Sequence, residues 1–149
     1  MPTEKTIKFQ IVTPERLLME EEITQVTVPT RQGEITVLPE HLPLVASLAP
    51  GVLGIRLKNG EAEVTSVSGG FIEVQKGKIV ILADTAERGH EIDIDRAQEA
   101  KKRAEELKTK AEHFDEKQFA DLASRIEKEL ARTKAAKKWK ILNINPKKE

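Results

Sequence analysis

The sequence predicts an all-β sandwich N-terminal domain followed by a C-terminal antiparallel two-helix hairpin. Three observations carry this reading. Apolar and polar residues alternate with period two over residues 1–83, which is the mark of half-buried strands. Turn signals break that alternation every 8–12 residues, the spacing of a sandwich or barrel. After Ala83 the period becomes helical. The division expected is residues 1–88 for the sandwich and 89–149 for the hairpin with its basic C-terminal tail.

The strands come first. Ile7, Phe9 and Ile11 share one face of TIKFQIV, with Lys8 and Gln10 on the other. Val26 and Val28 repeat the pattern, as do Leu53, Ile55 and Leu57, with Arg56 and Lys58 outside. Turns are expected at Thr13-Pro14, Gln32-Gly33, Ala49-Pro50-Gly51, Asn59-Gly60, Gly69-Gly70 and Lys76-Gly77. Asn59-Gly60 reads as a type I′ hairpin turn, which needs positive φ at both positions. Gly69-Gly70 reads as a tight turn or bulge. The acid run Glu20-Glu21-Glu22 reads as a solvated turn before the strand at Ile23, too few ligands for a cation site.

The helices follow. Ala97, Ala100, Ala104, Leu107 and Ala111 are spaced by 3, 4, 3 and 4, one helical stripe. Asp93 or Asp95 can cap its start, and Glu99–Arg103 and Glu106–Lys110 are i,i+4 pairs. Asp115 and Gln118 form a capping box opening a second helix, with a stripe of Phe119, Leu122/Ala123, Ile126 and Leu130. The break at residues 113–116 is short, so the helices fold back on each other. Alanine buries little area, and stabilisation scales at about 25 cal/mol per Å². The hairpin is therefore expected to be thinly anchored and able to move.

Composition narrows the function. The chain has 149 residues, no Cys, four Phe, one Trp and no Tyr, so disulfides, thiolate metal sites and cysteine nucleophiles are excluded. MPTEKTIKFQIV lacks a signal core, and no apolar run approaches the ~20 residues that span a bilayer. A soluble protein of a reducing compartment, most simply the cytoplasm, is expected. Residues 1–90 carry 9 basic and 12 acidic residues, a net of −3, and residues 91–149 carry +3. Residues 132–149 hold 7 basic residues against one acid, which favours an acidic partner surface. Nucleic acid is the weaker choice of partner, because stacking aromatics are scarce.

No catalytic constellation is legible. His41, His90 and His113 are scattered, and HExxH, GxSxG and P-loop patterns are absent. Neither an enzyme nor a metal site is expected. The stretch GEITVLPEHLPLV stands out differently. His41 lies between Pro39 and Pro43, with Leu42, Leu44 and Val45 beside it. A proline-stiffened turn that presents leucines loses little entropy on docking, so a protein contact is expected there.

These residues bring a family into view. The chain resembles the epsilon subunit of the F-type ATP synthase, the delta subunit of mitochondria, over roughly residues 6–140. The landmarks are VTPERLL at 12–18, VTVPTRQGEITVLPEHLPLV at 26–45, LAPGVLGIR at 48–56, VSGGFIEVQKGKIVILADTAERGHEID at 67–93 and DRAQEAKKRAEE at 95–106. The resemblance implies a non-catalytic rotor subunit bound to gamma and to the c-subunit ring. Such a subunit couples ring rotation to the alpha/beta catalytic headpiece, and its hairpin can act as a brake on ATP hydrolysis. It sits peripherally on the cytoplasmic face of the bacterial inner membrane, reaching the membrane only through the complex.

Site residues follow from the same resemblance. Glu34, His41, Leu42, Pro43 and Leu44 match the contact with the c ring, with Thr36 and Glu40 where many relatives have glycine. Glu87, Ile92, Asp93, Arg96, Ala97 and Arg103 match a regulatory ATP site of some bacterial relatives, no cofactor being required. Further arginines of that site fall on Ile126 and Leu130 here. Arg125, Lys128, Arg132, Lys134, Lys137 and Lys138 are the candidates for contact with the headpiece. Trp139 is a candidate anchor for the tail, on a partner or on the sandwich.

Overall fold

The computed structural model describes residues 4–110 and 113–144. Nine strands make the N-terminal part. They are β1 (Ile7–Val12), β2 (Leu17–Thr30), β3 (Gly33–Val37), β4 (Leu44–Leu48), β5 (Gly51–Leu57), β6 (Ala62–Val67), β7 (Gly70–Gln75), β8 (Lys78–Ala83) and β9 (Ala86–Arg88). A 3-10 turn (Gly89–Glu91) leads into α1 (Ile94–Thr109) and α2 (Glu116–Ile144). Ala111 of the predicted stripe, and the tail from Asn145, lie outside the described residues.

Alternation sends Phe9, Ile11, Ile23, Val26, Val28, Leu53, Ile72 and Ile81 into a single sandwich core. Strand order runs β1-β8-β7-β4-β2-β5-β6-β9, with β3 on β2. β1 pairs parallel with β8 and antiparallel with β2. The acid run does not form a turn. Glu20, Glu21 and Glu22 continue β2 opposite Gln10, Phe9 and Lys8, because pairing with β1 satisfies their backbone while their side chains stay in water. Lys58 donates to Glu22 at 2.7 Å. That bond, with the charge of Lys58, holds the Glu22 carboxyl below its usual range. The contribution is present above the ordinary carboxylate range and is lost as pH falls.

The Asn59-Gly60 hairpin forms between β5 and β6, but not as type I′. Gly60 has φ +87°, while Asn59 stays at negative φ. Arg56 pairs with Ala62 across the loop, so this is a longer connection than two residues, and Asn59 Oδ1 accepts from Glu61 N at 3.0 Å. Gly69 and Gly70, both at positive φ, turn the chain from β6 into β7 as expected.

The hairpin caps are those read from the sequence. Asp93 Oδ1 accepts from Arg96 N at 3.2 Å. Asp115 and Gln118 bond reciprocally at 2.8 and 3.0 Å. The docking face differs from the predicted stripe. Leu122 is buried, but Phe119 and Leu130 are exposed. Instead Ala131, Ala135 and Ala136 are buried further along α2. Ala135 and Ala136 join Val52, Val64, Ile92 and Ala97 in a second apolar cluster, with Trp139 and Ile94 at its edge. Close approach decides this choice. A Cβ on Gly89 would stand 2.6 Å from Val64 Cγ2 and 3.2 Å from the Ala135 carbonyl oxygen, so only small residues fit where α2 crosses the 3-10 turn.

A Cβ on Gly70 would fall 2.0 Å from the Leu82 carbonyl oxygen, at φ +125°. Gly70→Ala is therefore expected to destabilise the sandwich by about 3 kcal/mol or more, read from the denaturant midpoint of the full chain.

Candidate functional site

Three surfaces carry the candidate residues. The first is the turn between β3 and β4. His41 N donates to the Leu38 carbonyl at 3.1 Å, and His41 Nδ1 donates to the Leu42 carbonyl at 2.6 Å. The imidazole is thus spent on holding the turn, which leaves Leu42 79% exposed at its tip. Glu40 has φ +69°, a left-handed conformation that favours glycine. An ion pair from Lys5 at 2.7 Å ties Glu40 to the N-terminal segment. Thr36 is accommodated by a hydroxyl–hydroxyl bond to Thr27 at 2.8 Å. An apolar cleft of about 640 Å³ lies under the turn, floored by Ile7 and Gly77 and walled by Pro39 and Pro43. Leu44 opens β4 and packs on the core. Glu34 lies elsewhere: it is exposed at the far end of β3, opposite Pro29.

The second surface joins hairpin to sandwich. Arg132 Nε donates to Glu87 Oε2 at 2.7 Å, Nη2 to Glu87 Oε1 at 3.4 Å and Nη1 to Glu129 at 2.9 Å. Two residues expected in separate sites, Glu87 with ATP and Arg132 with the headpiece, thus form one clasp between β9 and α2. Burial opposes the charge on Arg132, but the hydrogen bond and charge of Glu87, with those of Glu129, outweigh it and hold the guanidinium above its ordinary value. This stabilisation is present below the ordinary arginine range for as long as the two carboxylates stay ionised. Arg125, Lys134 and Lys137 are exposed, and Lys128 is half-buried. Lys138 is also exposed, yet its Nζ lies over Gly54 of β5.

The remaining ATP candidates do not converge. Ile92 and Ala97 are buried in the second cluster, and Asp93 is spent as a cap. Arg103 pairs with Glu99 at 3.8 Å on the exposed side of α1, and Arg96 is exposed. A groove of about 490 Å³ beside them is lined by Asp93, Asp95, Trp139 and Lys140. It contains one cation, where a polyphosphate needs several.

The third surface was not read from the sequence. On the outer face of the sandwich, Phe71 pairs with Leu82, Leu82 with Val12 and Val12 with Leu17. Phe71, Leu82 and Leu17 are 54%, 48% and 52% exposed. Four neighbouring strands thus align an apolar row, a feature that marks interaction surfaces. Single alternating positions gave the signal, but only strand pairing places them side by side.

The clasp predicts a measurable coupling. Arg132→Ala leaves two carboxylates unpaired and is expected to weaken docking of α2 by about 1–3 kcal/mol, seen as lost hydrogen-exchange protection in α2 with the sandwich unchanged. Adding Glu87→Ala should cost less than the two single changes together. In the turn, Glu40→Val is expected to cost about 1–2 kcal/mol and Glu40→Gly about zero, by thermal unfolding.

Residues 6–89 match the family model described as the ATP synthase Delta/Epsilon chain, beta-sandwich domain. The ATP synthase epsilon chain of Desulforamulus reducens is 45% identical over 133 residues, covering 89% of this chain and 98% of that one. That of Carboxydothermus hydrogenoformans is 48% identical over 100 residues, 67% of this chain and 74% of its own. Among solved structures, a chain of the Euglena gracilis mitochondrial ATP synthase (OSCP/F1/c-ring, rotational state 1) superposes with TM-score 0.74 at 26% identity, covering 91% of this chain and 82% of that one. A chain of the Tetrahymena thermophila central stalk/c-ring structure shares the fold, with TM-score 0.57 at 15% identity, covering 91% of this chain and 99% of its own. A beta-sandwich followed by two helices, matched over most of its length by epsilon chains, places this chain in the delta/epsilon-chain family of the ATP synthase.

Proposed function

We propose that the chain is a non-catalytic central-stalk subunit that couples c-ring rotation to the headpiece, and that its hairpin, once released from the sandwich, brakes ATP hydrolysis. The observation that carries this is the division of α2 into two kinds of surface. Its docked face is made mainly of alanines and Thr133, with Trp139 partly buried beside them, while Phe119 and Leu130 face solvent. Phe114 stacks edge-on against Phe119 at 6.0 Å and is exposed too. Such a helix loses little by leaving the sandwich and has large apolar groups to offer elsewhere.

The other contacts follow the surfaces. The row of Phe71, Leu82, Val12 and Leu17 takes the gamma subunit. The tip at His41, Leu42 and Pro43 takes the c ring, and its internal hydrogen bonds suit a part that must carry torque without deforming. Arg125, Lys128, Lys134, Lys137 and Lys138 meet the headpiece, with Arg132 joining only after Glu87 lets go. Among the described residues no helix is long and apolar enough to cross a membrane, in keeping with peripheral attachment through the complex on the cytoplasmic face. Regulatory ATP requires Arg96 and Arg103 to move toward Asp93. On that reading ATP raises the melting temperature of the chain and Arg103→Ala removes the shift.

The test adds the chain back to a catalytic headpiece that lacks it, as the full chain and as a version ending after Arg88. The full chain is expected to bind gamma and lower ATP hydrolysis several-fold, and the short version to bind without inhibiting. Failure of both to bind gamma overturns the rotor assignment. Binding by both without inhibition by either overturns the brake.

A further inference from the structure

His90 lies in the 3-10 turn between sandwich and α2. Its ring meets that of Trp139 on α2, with centroids 5.5 Å apart and planes tilted by 53°. Its Nδ1 stands 3.4 Å from Oε1 of Glu63, a buried carboxylate of β6 that accepts from Arg88 Nε at 2.7 Å. The backbone here is seated directly under the helix. A Cβ on the neighbouring Gly89 would stand 3.0 Å from Trp139 Cβ. The imidazole therefore occupies the joint between the two parts of the molecule.

Charged groups face it from each side. Glu63 comes from β6 and Arg88 from β9. Glu91 of the same turn stands 4.0 Å from Nε2 and is itself 3.7 Å from Arg16. Asp93 and Asp95 at the start of α1, and Lys140 of α2, share a groove with His90. Four carboxylates and three cations thus lie around this joint. Glu63, Arg88 and Glu91 belong to the sandwich and its adjoining turn, and remain near His90 when α2 departs. What α2 itself brings is the indole of Trp139, 5.5 Å from the imidazole between centroids, with the exposed Lys140 opposing it. A cation within about 6 Å of an indole face is attracted to it, and a neutral imidazole lacks that attraction.

We propose that His90 and Trp139 form a pH-sensitive latch, in which protonation of His90 tightens the docking of α2 on the sandwich and loss of the proton loosens it. The sign follows from the attraction of a charged imidazole for the indole ring beside it. The extra hold is fully present in acid and is lost as pH rises through the range where histidines release their proton. Its regulatory meaning rests on the brake proposed above: an alkaline interior frees the hairpin and an acidic one stows it.

The full chain allows a direct test, because Trp139 is its sole tryptophan. Hydrogen exchange of α2, normalised for intrinsic rates and for the sandwich, is followed from about pH 8 to about pH 5.5 beside Trp139 emission. Protection of α2 is expected to rise about fivefold on acidification. His90→Gln and Trp139→Leu are each expected to flatten the response. A flat response in the unaltered chain overturns the latch, as does a response that survives in His90→Gln. Hydrolysis by the assembled complex separates the two ideas. Exchange that follows pH without any change in inhibition overturns the brake and leaves the latch. Exchange that ignores pH overturns the latch, whatever the hydrolysis does.

Discussion

Strand β2 runs fourteen residues and pairs with β1 over its first half and with β3 and β5 over its second. At its end Thr30 also meets Leu48 of β4. One strand thus hydrogen-bonds into both layers, and the sandwich closes around it. Ile23, Val26 and Val28 lie along its inner side and are fully buried. The positions of β5 and β6, and so of the platform under the hairpin, are inherited from this pairing. So is the loop at the end of β3, whose register against β2 sets where Leu38 to Pro43 emerge.

The two halves of the molecule are held with different strength. The sandwich core is built of Ile, Leu, Val and Phe side chains, each worth about 1.5–3 kcal/mol on full burial. The hairpin meets the outer face of β5 and β6 through Val52, Val64 and a row of alanines. A clasp from Arg132 to Glu87 and the ring contact of Trp139 complete the attachment. Opening of such a unit lies at the low end of a protein's stability range.

This division suits a part that has to be stiff in one place and releasable in another. The His41 turn is fixed by its own hydrogen bonds, two prolines and the Lys5–Glu40 pair. It accepts a left-handed glutamate to do so, which is local strain held by its surroundings. The hairpin carries Leu107, Phe119 and Leu130 outward, while its docked cluster draws on Ala97, Ala135 and Ala136. On the function proposed above, each surface answers to a different demand: transmission at the turn, attachment along the Phe71–Leu17 row and exchange of partners at the helices.

Much of this was legible in the chain, because it rests on local interactions. Period-two alternation marked Ile7, Phe9 and Ile11 as one face, and the glycines marked their turns. Asp93 and the Asp115–Gln118 box capped the helices where their side chains predicted, since a cap needs only a few consecutive residues. Alanine spacing marked the first helix, and Ala97 and Ala104 of that stripe are buried. The docking face of α2 was not legible, because it depends on how closely Gly89 brings the turn to the helix. The Arg132–Glu87 clasp joins residues 45 apart, and the Glu63–Arg88–His90 group joins two strands and a turn. The apolar row needs four strands in register. The sequence by itself determined which elements form and where the helices are capped, because period and cap act along the chain. Only the tertiary structure decided which charges meet and which apolar residues stay exposed, because both depend on distances between segments remote in sequence.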